Sequence, residues 1–298
     1  MFFRSRVFLI QLIVILTLGL SSCASLFGIK ATPTPSTPSA TPVPATATPE
    51  AAAAMVNGHP ITVPEFQAEL ARYKSAETAL GKTVTDQDAT KTVLEDLIAQ
   101  DLLAQSAEAA GYTLSDSALQ SRLDALTTQV GGGDKLSVWE AAHGYTDTSL
   151  RASLKPSIEA AWMRDKIVNA VPATADQVHV QQILLFTAAD AQTVLNQLKG
   201  GADFATLATQ YDPNASGDLG WFPKGYLLDP KIEDAAFSLP IGQLSDVIQT
   251  DSGYHLIKVL ERDAQHPLSP DAYLALQDLA LKAWVAQQRA QAKVVLAP

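Results

Sequence analysis

The chain has 298 residues, of which 47% are hydrophobic and 17% charged, a composition that excludes a collagen, a coiled coil or a wholly disordered protein. Its net charge is −10, and residues 55–298 carry 18 basic and 30 acidic groups, which argues against binding nucleic acid through its phosphates. The single cysteine excludes an internal disulfide framework and a cysteine-rich zinc site. The length is sufficient for two domains.

Residues 1–22 have the features of an export signal. A positively charged start precedes an apolar run, residues 7–20, which is shorter than the about 20 residues of a membrane span. The order Leu20-Ser21-Ser22-Cys23 resembles the lipobox of bacterial lipoproteins, in which the cysteine carries the lipid and becomes the new N-terminus. This resemblance implies an extracytoplasmic protein anchored to the cell membrane at Cys23. The alternative is an uncleaved anchor with an incidental cysteine.

Residues 23–54 are predicted to be a tether. Within them, residues 31–49 consist of six Pro, six Thr, four Ala, two Ser and one Val. Such a segment cannot bury a core, and it favours extended polyproline conformations. We therefore expect the folded part of the chain to begin near Met55.

Residues 55–172 are predicted to form a mainly helical domain. A short strand, a turn at Asn57-Gly58 and a second strand come first, and a helix follows from about Val63. Apolar residues at three- and four-residue spacing predict a long helix over 86–110. The next helix is predicted over 115–130, ended by glycines 131–133, and a further helix reaches about residue 170.

Residues 175–262 have a different pattern. Strand and helix signals alternate in the order β-α-α-β-α-β-β over about 85 residues, which predicts a compact α+β domain. Residues 268–298 then return to helix, with an apolar stripe that includes Leu276 and Trp284. An amphipathic helix needs a partner face. We expect the first helical region to supply it, so that the α+β domain is inserted into a helical domain built from both chain ends.

Five blocks of the α+β segment resemble the parvulin-type peptidyl-prolyl isomerases, in the family's order and spacing. They are Gly200–Ala208, Gly217–Phe222, Glu233–Leu239, Gly242–Ser245 and Thr250–Val259. The flanking hairpin and helices resemble the helical chaperone domain of the PrsA and SurA foldases, and the lipobox resembles PrsA in particular. The resemblance implies a parvulin-like α+β domain inserted into a mainly helical SurA-N-like chaperone domain.

The resemblance also implies an isomerase site. The apolar cup for the proline ring would consist of Leu219, Leu227 and Ile232, with Phe237 behind it. An extra residue between Gly225 and Glu233 could displace two of these by one position. The polar set would consist of His255, Ser252, Thr250, Gln182 and Asn214. The apolar members could equally be ordinary core, and His255 an ordinary strand histidine.

Two of the polar residues depart from the family's pattern. Gln182 stands where the family has the first of two paired histidines, and Asn214 falls near the family's Cys or Asp. His179 cannot replace the missing histidine, because three residues along a strand it points to the opposite face. Amides form hydrogen bonds but cannot change charge. The departures therefore favour a parvulin fold whose activity is reduced or lost.

The sequence predicts neither a cofactor nor a metal. Rotation about an Xaa–Pro bond breaks no covalent bond, and the five histidines are scattered without metal-ligand spacing. The loop after Leu185 has no basic cluster, so specificity for phosphorylated Ser/Thr-Pro is not expected.

Three functions follow as hypotheses. The first is a lipid-anchored foldase that isomerises Xaa-Pro bonds in newly exported, unfolded polypeptides. The second is a holdase chaperone whose helical domain cradles unfolded chains, while the parvulin module only binds peptides. The third is a structural adaptor on the cell surface, which would have no affinity for unfolded chains.

Overall fold

A computed structural model describes residues 51–227 and 229–297. The predictions for the export signal, for lipidation at Cys23 and for most of the tether lie outside these residues. The chain forms two compact units, one of residues up to 160 together with residues from 291 onward, and one of residues 161–290.

A three-stranded antiparallel sheet joins the two ends of the described chain in the first unit. Strands β1 (Ala52–Val56) and β2 (His59–Thr62) form a hairpin, and β7 (Val294–Leu296) pairs with the other edge of β1. This pairing makes the second unit an insertion between the parts of the first. The prediction that the tether extends to residue 54 is wrong, because Ala54 is a buried core residue of β1.

Five helices follow the hairpin: α1 (Val63–Ala79), α2 (Asp86–Ala109), α3 (Asp116–Val130), α4 (Gly133–Ala142) and α5 (Asp147–Val168). Helix α2 is central, and its apolar stripe packs against the hairpin. Helix α4 was not predicted, because the glycine triplet was interpreted only as a terminator. Gly131 does end α3 in the left-handed conformation, with φ 93°, but Gly132 is already the N-cap of α4.

A partly buried carboxylate lies on α2. Burial raises the pKa of Asp96 to about 6, and the carboxylates of Glu69 and Glu95 add to the rise. The folded state therefore favours neutral Asp96. As the pH falls through about 6 towards the ordinary aspartate pKa, the folded state binds a proton at Asp96 before the unfolded chain does, and its stability increases. At neutral pH Asp96 is charged, and this increase in stability is absent.

Replacing Asp96 by asparagine is therefore expected to stabilise the first unit by about 1–2 kcal/mol at pH 7.5. The gain should disappear below about pH 4, where the wild-type carboxyl is also neutral. Urea unfolding at both pH values measures the difference. Asp124→Asn, at an exposed position of α3, is the matched control. An equal gain at both pH values would contradict the expectation.

The second unit is an α+β domain. Its antiparallel sheet has the order β4-β3-β6-β5, and its element order confirms the predicted β-α-α-β-α-β-β pattern. The strands are β3 (Thr174–Leu185), β4 (Asp218–Pro223), β5 (Ile248–Thr250) and β6 (Gly253–Pro267). The helices are α6 (Ala188–Lys199), α7 (Phe204–Tyr211), α8 (Pro230–Ser238) and α9 (Pro270–Gln291).

Each face of this sheet has its own hydrophobic core. Helices α6 and α7 pack on the face that carries Ile183, Leu185 and Leu256. Helix α8 packs on the other face, which carries buried valines of β3 and β6. Alternation along β3 and β6 thus supplies two cores from one sheet, as expected for a sheet covered on both sides.

Helix α9 was expected to pack on the first helical region, predicted over residues 55–172. It belongs to the unit of residues 161–290, which includes the end of that region. There the Tyr273 hydroxyl donates to the carbonyl of Val171, and the Gln277 amide donates to that of Val168. The first unit resumes at Gln291, the last residue of α9, and includes β7. No helix in the described part of the chain is long and apolar enough to cross a membrane.

Candidate active site

The predicted cup residues share one face of the second sheet. Ile232 is buried, and Leu219, Leu227 and Phe237 are partly buried members of the same cluster, which also contains Phe222. Helix α8 supplies Ile232 and Phe237, strand β4 supplies Leu219, and the segment between them supplies Leu227. The extra residue before Glu233 therefore does not separate Leu227 and Ile232 from this cluster.

A polar network lies on the same face. Gln182 is paired with Ile257 across β3 and β6, and His255 lies two residues from Ile257, so all three side chains point to the face covered by α8. The oxygen of the Gln182 amide accepts from Nδ1 of His255 at 3.2 Å. Nε2 of His255 lies 2.8 Å from the hydroxyl of Thr250. That hydroxyl oxygen in turn accepts the backbone N–H of Ser252 at 3.0 Å.

The network selects one tautomer of neutral His255. Its side chain donates from Nδ1 to the Gln182 oxygen, which leaves Nε2 to accept from Thr250. Burial lowers the pKa of His255 below its ordinary value, and the nearby Asp229 carboxylate opposes this effect. The unfolded chain therefore takes up this proton more readily, and the folded state loses stability as the pH falls below the ordinary histidine pKa of about 6.5.

Glu233 is a functional candidate to which sequence reasoning gave no role. Its buried carboxylate accepts the backbone N–H of Gly225 at 2.6 Å through one oxygen. The other oxygen accepts from Tyr226 at 3.1 Å and from Leu227 at 3.2 Å. Three N–H groups converging on one carboxylate fix the loop that carries Leu227. The motif block Glu233–Leu239 contains this glutamate, but only the fold reveals its hydrogen-bond partners.

Glu233→Gln is expected to destabilise the second unit by about 1–3 kcal/mol, because a glutamine has one acceptor oxygen where two are used. KM for an Xaa-Pro peptide should rise as the Leu227 loop loosens. Urea unfolding and peptide kinetics measure the two effects. Asp234→Asn, at the exposed neighbouring position, is the control. Wild-type values of both quantities for Glu233→Gln would disprove the role.

Two predicted polar residues are placed differently from expectation. Asn214 is exposed, and its backbone N–H bonds the carboxylate of Asp212, which also accepts from Ala215 and Gly217. These bonds lower the pKa of Asp212. Asn214 thus belongs to a loop organised by Asp212, and among the described bonds none joins it to His255. Ser252 is exposed and enters the network through its backbone N–H.

His179 lies on the other face of the sheet, as the strand alternation predicted. Its Nε2 contacts Asp218 at 2.8 Å, and its ring stacks on Trp221. Trp221 also stacks on His266, with ring centroids 4.0 Å apart. His179 is therefore not part of the polar network around His255.

The arrangement has the chemistry of a binding and polarising site. An apolar cup can hold a proline ring, while neutral His255, held by Gln182 and Thr250, lies on the same sheet face. Such groups can stabilise the twisted amide over the planar one. The described residues contain no group of three His, Cys, Asp or Glu side chains that could hold a metal. After β3, Phe186 is 81% exposed and is followed by the N-cap Thr187 and by Asp190.

The second unit thus combines a four-stranded antiparallel sheet, helices on both of its faces and a polar network on the face of the predicted cup. A family model of the PPIC-type PPIase domain matches residues 166–263, and one of the SurA-like N-terminal domain matches residues 3–130. The chain therefore contains a segment that matches the PPIC-type PPIase domain, preceded by a segment that matches the SurA-like N-terminal domain.

The similar proteins include some named foldases and some named chaperones. The foldase protein PrsA of Geobacillus sp. (strain WCH70) is 29% identical over 188 residues, which cover 60% of this chain and 66% of that protein. The chaperone SurA of Methylobacillus flagellatus is 35% identical over 144 residues, covering 41% of this chain and 33% of the relative. The chain thus spans just under two thirds of the first of these relatives. A crystal structure of peptidylprolyl isomerase (PrsA) from Bacillus cereus is 22% identical with a TM-score of 0.43, and 78% of this chain and 83% of that chain are covered.

Proposed function

We propose that the protein is an extracytoplasmic foldase that catalyses cis/trans isomerisation of Xaa-Pro bonds in unfolded, exported polypeptides. The observation that carries the proposal is the His255 network, which lies on the same sheet face as the cup of Leu219, Leu227 and Ile232. The barrier to be lowered is about 18–20 kcal/mol, and it arises from amide resonance. A site that binds the twisted amide best needs neither a nucleophile nor a cofactor.

Neutral groups suffice for this proposed mechanism. The cup binds the ring and excludes water from one side of the prolyl bond. His255 then presents a fixed dipole near the carbonyl whose charge changes on twisting. Gln182 orients the imidazole, a role for which an amide oxygen is adequate. No step transfers a proton from His255.

The test is prolyl isomerisation of Xaa-Pro peptides by the full chain, purified in detergent. Catalysis clearly above the uncatalysed rate, which has a time constant of tens to hundreds of seconds, would support the enzyme. Background rates would disprove it. Gln182→His is run in parallel, and a gain in this variant over an inactive wild type would locate the defect at Gln182.

A holdase chaperone is the second candidate. It is favoured by the neutral amide at position 182 and by an open cleft in the helical unit, whose lining includes small, large apolar and aromatic side chains. Suppression of aggregation by a protein that does not catalyse isomerisation would support this candidate. Failure in both assays would leave the structural adaptor.

The proposed location is the outer side of the cell membrane, with a lipid at Cys23 as the anchor. The motif around Cys23 and the preceding apolar run support this proposal. Labelled palmitate should be incorporated into the wild-type chain in bacterial cells and not into Cys23→Ser. Equal labelling of both proteins would exclude an anchor at this residue.

A further inference from the structure

The turn between β4 and α8 carries one residue of the predicted cup. The backbone N–H of Tyr226 donates to the carbonyl of Pro223 at 3.4 Å, which closes a β-turn. Gly225 occupies the third position of this turn with φ 86°, in the left-handed region that a glycine adopts without steric cost. Leu227, a member of the cup cluster, follows two residues later. The conformation of the turn therefore decides where Leu227 lies.

Helix α8 holds the turn through Glu233. Its carboxylate accepts the backbone N–H groups of Gly225, Tyr226 and Leu227. These bonds orient the backbone of the turn, yet Lys224 and Gly225 remain exposed. An apolar contact from a further element would restrain the exposed part of the turn, where Glu233 makes no contact through its carboxylate other than with the N–H groups.

The further contact comes from α9. A β-carbon on Gly225 would collide with Cδ1 of Leu279, and Cγ of the same leucine would lie 3.6 Å from it. The methyl group of Leu279 thus occupies the place beside the backbone that a side chain at position 225 would fill. A glycine permits this close approach, because it has no β-carbon. The turn is therefore held by polar bonds from α8 and by an apolar contact from α9.

Helix α9 is itself fixed on another face. The Tyr273 hydroxyl donates to the carbonyl of Val171 at 3.3 Å, and the Gln277 amide donates to that of Val168 at 3.1 Å. Leu279 follows Gln277 by two positions, which is about 200° around a helix. Helix α9 thus directs one face to residues 168–171 and the opposite face to the turn. The bonds on the first face keep Leu279 against Gly225.

Exposure alone does not distinguish Leu279 from its neighbours on the helix. Leu279 is 40% exposed and Leu274 is 61% exposed, and single exposed leucines are normal on a protein surface. Leu274 lies five positions before Leu279, about 140° around the helix, so it points in a different direction. The distinguishing feature of Leu279 is its contact with Gly225.

We propose that Leu279 is a positioning residue of the isomerase site, which packs on Gly225 and keeps the turn in the conformation that holds Leu227 in the cup. The inference rests on the proposed function, since the place of Leu227 matters only if the cup binds a proline ring. It adds α9, which lies outside the residues 166–263 matched by the PPIC-type PPIase domain, to the elements that shape the site.

Binding and isomerisation of an Xaa-Pro peptide by the full chain in detergent test the role. Leu279→Ala removes the contact with the turn, and the dissociation constant of the peptide should rise about three- to tenfold. The cup holds the ring in the planar and in the twisted amide alike, so kcat should change less than about twofold. Leu279→Met keeps a long, flexible apolar side chain and should bind within about twofold of the wild type. Leu274→Ala is the matched control and should bind like the wild type.

Hydrogen exchange separates positioning from a general loss of stability. In Leu279→Ala, exchange in the peptic peptide that contains Gly225, Tyr226 and Leu227 should accelerate at least about fivefold, while exchange in β3 stays at the wild-type rate. Equal acceleration in β3 would attribute the effect to stability and overturn the proposal. Unchanged exchange in the turn, or a dissociation constant equal to that of Leu274→Ala, would also overturn it.

The same measurements distinguish this inference from the proposed function. A wild type that binds the peptide without isomerising it would disprove the catalysis, and the dissociation constants of the variants would still decide the role of Leu279. A wild type that isomerises, with no difference between Leu279→Ala and Leu274→Ala, would disprove the positioning role alone. No binding of the peptide by the wild type would overturn both.

Discussion

Gly217→Ala is expected to destabilise the second unit by about 3–5 kcal/mol. Gly217 has φ 67°, and a β-carbon at this position would collide with the backbone carbonyl oxygen of Gln182. The same two residues are joined by a hydrogen bond from the Gln182 N–H to the Gly217 carbonyl at 2.7 Å. Neither backbone can move away without breaking this bond. The displaced strand carries Gln182, so isomerisation should be lost as well.

Gly220→Ala is the matched control. Gly220 has the same φ of 67°, but a β-carbon there would meet no atom within 4 Å. It therefore measures the cost of the left-handed conformation alone, about 1–2 kcal/mol. Urea unfolding of both variants, followed by tryptophan fluorescence, isolates the collision. Equal destabilisation of the two would show that the contact with Gln182 is unimportant.

His255→Ala is expected to lower kcat/KM for Xaa-Pro peptides at least about tenfold, because it removes the one imidazole of the polar network. The side chain is 4% exposed, so its loss also leaves the Thr250 hydroxyl and the Gln182 amide without their partner. We expect a cost of about 1–3 kcal/mol in stability from these unpaired groups. Peptide kinetics at a temperature where the variant is fully folded separate the two effects.

His179→Ala provides the comparison on the same sheet. His179 lies on the opposite face, where it contacts Asp218 and Trp221. Its loss should leave kcat/KM within about twofold of the wild type, since this half-buried side chain lies on the sheet face away from His255 and has no described contact with the polar network. If His255→Ala kept wild-type activity, the network would be only structural. An equal loss in both variants would indicate a general loosening of the sheet.

Local signals of the chain were sufficient for most of the elements. The spacing of apolar residues predicted α2 within one residue of its observed end, because a 24-residue amphipathic helix repeats its pattern many times. Strand and helix signals predicted the element order of the second unit, and the motif blocks named His255 and Thr250 as candidate site residues. Helix α4 was missed because a glycine triplet that ends one helix can also begin the next.

The polar network was only partly predictable. Gln182 and His255 are 73 residues apart, and they meet because β3 and β6 pair in one register. A shift of one residue would turn one of them to the opposite face. Asn214 was placed in the site by its distance along the chain, but the bonds to Asp212 fold its loop into a separate turn.

The sequence by itself determined the two-part organisation, the α+β order and the residue types of the cup, because apolar periodicity and turn residues act over short distances. The tertiary structure alone decided which polar groups meet. In the tertiary structure three backbone N–H groups donate to Glu233, and α9 belongs to the second unit. One face of α1 borders an open cleft. Such contacts join residues far apart in the chain, and their geometry depends on strand register and helix packing, which no local pattern encodes.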